Sequence, residues 1–163
     1  MNVFEGHGVR FEYPADWTLS QDSDEGNVAI SVESGGTAFW MLTILVERPP
    51  AEEVIQAAVD SLQAEYEDCD IYESDEQICL LPTEACDVDF SCLELLNRAC
   101  LRSCEGDATS LFILYQTSDV ETEEMTPLLQ AMTQSLTWEI AAELDDDFGA
   151  DPAAFDNLFG GTE

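Results

Sequence analysis

The chain has 163 residues, 45% of them apolar, which suits one hydrophobic core and excludes wholesale disorder. Its 36 Asp and Glu stand against four Arg (Arg10, Arg48, Arg98, Arg102) and no Lys, a formal net charge of -32. That balance excludes direct binding to DNA or RNA, which needs clustered cations, and the lack of Lys removes Walker-loop, Schiff-base and Ser-Lys chemistry.

Met1 to Gly8 has neither a basic n-region nor an apolar h-region, so no signal peptide is expected and the chain reads as cytoplasmic. No run approaches the roughly 18 apolar residues of a spanning helix, so no membrane insertion is expected. Val9, Phe11 and Tyr13 alternate with polar residues up to Pro14 and predict a first strand; Trp17 and Leu19 begin a second. A loop is predicted over 21–27, and then Val28, Ile30 and Val32 alternate up to a hairpin turn at Gly35-Gly36. Phe39 to Val46 is apolar on both faces, the pattern of a central strand covered on each side.

After Pro49-Pro50, the segment 51–67 predicts a helix, with Ile55, Val59, Leu62 and Tyr66 as its apolar stripe. An acidic connection over 69–77 leads to a predicted edge strand near Ile78 to Leu81. The runs 84–96, 98–104 and 108–117 predict an antiparallel meander with a turn at Gly106-Asp107. Ser118-Asp119-Val120-Glu121 matches a capping box for a second helix, with Pro127 tolerated if it falls in the first turn. Met125, Leu128, Leu129, Met132 and Leu136 form the stripe of that helix. The expectation is an α+β fold, an antiparallel sheet of about six to seven strands sandwiched by helices, in a single domain over 1–140. Residues 141–163 interleave carboxylates with Phe148, Phe155, Leu158 and Phe159 and read as a tail, disordered or docked, whose aromatics could enter a partner's groove.

Val9-Arg10-Phe11-Glu12-Tyr13-Pro14-Ala15-Asp16-Trp17 resembles the strand, Pro and Trp start of the PsbP-like superfamily. That superfamily includes photosystem extrinsic subunits, a Ran-binding nuclear import factor, the DcrB-like lipoproteins and the Eag-type secretion chaperones. The resemblance implies an antiparallel sheet between helices over roughly residues 9–138. It also implies a non-catalytic protein that binds other proteins. The superfamily shares no catalytic residues, so none is carried over, and the lack of a lipobox departs from its exported members.

His7 is the only histidine and sits between glycines, so it makes a poor triad member and reads as idle. Asp145, Asp146, Asp147 and Asp151 lack the alternating ligands, glycine and terminal glutamate of an EF-hand loop. The six cysteines, Cys69, Cys79, Cys86, Cys92, Cys100 and Cys104, contain no Cys-x-x-Cys knuckle. Strand alternation puts Arg98, Cys100, Arg102 and Cys104 on one face, where Arg would lower a thiol pKa and make Cys100 or Cys104 reactive, against opposition from surrounding carboxylates.

The acidity has two accounts: adaptation of a whole proteome to a saline setting, or a surface made for a basic partner. The leading functional expectation is an adaptor or chaperone-like module that binds another protein, without cofactor. The alternatives are a thiol or metal site on the cysteine-rich hairpin and an acidic mimic of nucleic acid. A homodimer through a strand edge near the acidic connection is compatible with the pattern.

Overall fold

The computed structural model describes residues 1–139. Ten strands and two helices follow in the order β1 (Asn2–Gly6), β2 (Val9–Tyr13), β3 (Thr18–Asp24), β4 (Asn27–Glu33), β5 (Phe39–Leu45), α1 (Ala51–Glu65), β6 (Asp70–Glu73), β7 (Glu84–Cys92), β8 (Leu95–Glu105), β9 (Ser110–Ser118), α2 (Thr122–Ser135) and β10 (Thr137–Trp138). Seven strands form one antiparallel sheet in the order β3-β4-β5-β9-β8-β7-β6, and β1-β2-β10 form a smaller one. The predicted α+β class, with helices on both sides of an antiparallel sheet, is the class observed.

Period-2 alternation decides which face each strand buries. Val88, Phe90, Ala99 and Leu101 turn toward Ile55, Val59 and Leu62 of α1. On the opposite face Trp40, Leu42, Leu111 and Ile113 pack against Leu129 and Met132 of α2 and Phe11 of β2. Phe11 joins the two sheets, its ring centroid 4.6 Å from Trp40 and 5.3 Å from Phe4. The buried Trp40 indole donates to Thr133 Oγ1 at 2.9 Å, which fixes the α2 angle over the sheet.

Several local expectations need correction. The segment 21–27 is not a loop: β3 and β4 run through it to a tight turn at Glu25-Gly26, whose φ angles are 52° and 88°. Its polar residues belong to an edge hairpin exposed to water, which hides the strand signal. The edge strand near Ile78 to Leu81 is an isolated bridge closing a turn, and the edge is instead β6, inside the acidic connection. The run 84–96 breaks into two strands at Leu93-Glu94, both at positive φ. β5 buries only one face fully, because α1 covers β7 to β9 and leaves Phe39 and Met41 half-buried.

The capping box does not form. Ser118 ends β9 and Glu121 is the cap residue of α2, yet the Glu121 carboxylate accepts from Thr37 N–H at 3.0 Å and Thr37 Oγ1 at 2.6 Å rather than from its own helix. Pro127 lies inside α2 beyond the first turn, where its ring removes a backbone donor. The segment before β2, read without a strand, holds β1. His7 occupies the β1–β2 turn at φ 54°, its Nε2 3.2 Å from Gln21 Oε1.

Candidate functional site

β8 carries the chemistry of the sheet. It packs Ala99 and Leu101 toward α1, while the other face presents Arg98, Cys100, Arg102 and Cys104, as the alternation predicts. The register sets Asp89 opposite Arg98 and Asp87 opposite Cys100 on β7, with Thr117 and Tyr115 opposite the same two positions on β9. The first half of α2 passes above. Between helix and strands lies a recess of about 570 Å³, walled by Leu96, Cys100, Tyr115, Thr126, Leu129 and Gln130.

The floor of this recess is an interlocked set of charges. Arg98 makes a two-pronged contact with Asp89, Nε to Oδ1 at 2.7 Å and Nη2 to Oδ2 at 2.9 Å. Arg102, only 3% exposed, donates from Nε to Glu76 Oε1 at 2.7 Å and from Nη1 to Asp87 Oδ1 at 2.8 Å. Its Nη1 also reaches the carbonyls of Cys86 and Leu101. Tyr115 Oη donates to the same Glu76 oxygen at 2.8 Å, so Glu76 clamps the connection after β6 onto the sheet. Burial opposes the Arg102 charge, but Tyr115, Asp87 and Glu76 together hold its guanidinium above the usual range. Burial also raises the Tyr115 hydroxyl, with Cys100 adding to the effect.

These surroundings work against activation of the thiols. Burial pushes Cys100 up to about 12, Asp87 adds to the rise, and the lowering by Arg102 is the smaller effect. Cys104 is also pushed up to about 12, by burial and by Cys79 and Glu105. Arg102 is committed to two carboxylates, so little of its field is left for a thiolate. Among the described residues no three His, Cys, Asp or Glu side chains converge as a set of metal ligands.

The remaining cations are also engaged: Arg48 with Glu105 and the Gly106 carbonyl, and Arg10 with Glu12 at 3.9 Å. A second concavity of about 360 Å³ lies beside Arg48, Pro82 and Glu105. The tail residues Phe148, Phe155, Leu158 and Phe159 lie outside the described residues. Sequence reasoning found Arg98, Cys100 and Arg102 but missed Glu76, Asp87 and Tyr115. Asp87 and Tyr115 had a signal, since they fall at alternate positions of strands flanking β8; Glu76 comes from an irregular connection and had none.

No helix among the described residues is long and apolar enough to cross a membrane. No protein-family model matches the chain, and no curated protein matches it. Among solved structures the chain is similar to LpqN, involved in cell envelope biogenesis of Mycobacterium tuberculosis. That pair is 13% identical with a TM-score of 0.49, over 79% of this chain and 82% of the other. It is also similar to PA94, a protein of unknown function from Pseudomonas aeruginosa, at 14% identity and a TM-score of 0.47, over 80% of this chain and 91% of that one.

Proposed function

We propose that this chain is a non-catalytic protein-binding module and that a partner docks in the recess between α2 and the β7–β8 end of the sheet. One observation carries the reading: every reactive group on the floor is already spent. Both guanidiniums are paired, the Tyr115 hydroxyl is donated to Glu76, and burial holds the Cys100 thiol protonated. A hydrolytic or transfer site needs a poised acid, base or nucleophile, and this floor supplies rigidity instead. The walls offer apolar surface at Leu96, 49% exposed, next to polar groups at Thr126 and Gln130, which is the composition of a docking surface.

The test is affinity capture at low and high salt with the full chain, with the recess filled by Thr126→Trp, and with Gln130→Trp as a second blocking variant. One protein retained in high salt and lost on blocking, with an unchanged melting temperature, supports the reading. Equal retention by blocked and unblocked chains overturns it. Only salt-labile capture of assorted basic proteins would favour nucleic-acid mimicry. A version ending at Trp138 separates any contribution of Phe148, Phe155, Leu158 and Phe159.

A further inference from the structure

We infer that the recess selects a cationic side chain, an Arg or Lys of the partner, whose charged head sits against Asp119 and Glu123 while its stem lies along Leu96 and Thr126. This rests on the docking reading and adds the chemical class of the group that enters. The floor is charge-neutral or slightly negative by pairing: Asp89 answers Arg98, while Asp87 and Glu76 together answer Arg102. The rim is different. Asp119 follows β9 and Glu123 stands in the first turn of α2, both line the recess, and neither has a cationic partner among the described residues.

The start of α2 opposes this selection, because a helix N-terminus carries about half a positive charge. Two full carboxylate charges exceed it. An arginine or lysine also fits the mixed wall, since its methylene stem covers apolar surface while its head stays near water. Other occupants carry the wrong sign. The chain's own segment 141–163 is rich in carboxylates, including Asp145, Asp146 and Asp147, and a second copy brings the same net charge of -32.

The experiment uses a blocked pentapeptide with a central arginine flanked by leucines, and the same peptide with citrulline, its uncharged counterpart. Binding to the full chain is measured by NMR titration, following the amides of Thr126 and Gln130, at about 0.15 M salt. Each partly exposed ion pair is worth a few-fold, so the arginine peptide should bind about tenfold more tightly. Asp119→Asn with Glu123→Gln should abolish that preference. Glu52→Gln with Glu53→Gln removes the same charge from the exposed first turn of α1, which packs on the opposite face, and should leave the preference intact.

Equal binding of both peptides at Thr126 and Gln130 overturns cation selection and leaves docking standing. An equal loss in both double variants means diffuse attraction to an acidic molecule and also overturns the inference. Binding of neither peptide overturns inference and docking reading together.

Discussion

Arg102 is the residue on which the recess depends. A guanidinium 3% exposed is tolerated because Glu76 and Asp87 answer its charge and the carbonyls of Cys86 and Leu101 share its Nη1 with Asp87. Arg102→Leu strands both carboxylates beside a buried Tyr115 and should cost about 3–5 kcal/mol, read from the denaturant midpoint. The thiols give a second test. Cys79, Cys100 and Cys104 are each pushed up to about 12, whereas an unfolded thiol titrates at about 8.5. A raised folded pKa favours the folded state below the unfolded value, and that contribution is lost as pH rises through the folded one. Stability should therefore fall between about pH 9 and 12, less steeply in Cys100→Ala. In the native protein at pH ~8 these three thiols should react with a disulfide reagent only after unfolding. Alternation made the shared face of Arg98, Cys100, Arg102 and Cys104 legible. The burial of the thiols was not legible, because cover by α2 and by the connection at Ile78 is a tertiary fact.

Among elements, α2 shows how local signals lose to tertiary ones. Ser118 and Glu121 have the spacing of a capping box, but Ser118 is held as the last residue of β9, and Glu121 reaches back to Thr37 of the β4–β5 connection. The same carboxylate lies so close to Gly36 that a Cβ there would collide with it. Pro127 remains inside the helix because its ring faces solvent and the stripe of Leu129 and Met132 still packs. Restoring the lost donor with Pro127→Ala should raise stability by about 1–2 kcal/mol, partly offset by a freer unfolded chain, and a thermal melt would measure it. Strands with strong alternation, such as β2, β4 and β9, were readable from their residues. β6 was not, since Asp-Ile-Tyr-Glu at an acidic edge looks like loop, and the turn at Cys79-Leu80 was hidden because neither residue favours positive φ.

Across the whole molecule, like-charge repulsion adds to the chain entropy that opposes compaction. All four Arg are already matched with carboxylates among the described residues, leaving most of the 36 Asp and Glu to repel one another through water. Counter-ions shorten that repulsion from about 10 Å at 0.1 M to about 3 Å at 1 M salt, so the melting temperature should climb over this range. An unchanged midpoint would mean that the charges are too dispersed to matter. The edge strands β3 and β6 both carry carboxylates, which sets like charge against like charge if two copies approach edge to edge.

The order of the large sheet also has a kinetic meaning. β3-β4-β5 and β6-β7-β8-β9 are each chains of neighbours in sequence, so each can zip from its own turns with little loop-closure cost. The two halves meet along a single seam, where β5 pairs with β9 from Phe39↔Gln116 to Leu45↔Ser110. Closing that seam is expected to limit the folding rate, because it buries Trp40 and Leu42 against Ile113 only once both halves exist, and a slower refolding rate in Leu42→Ala would check it.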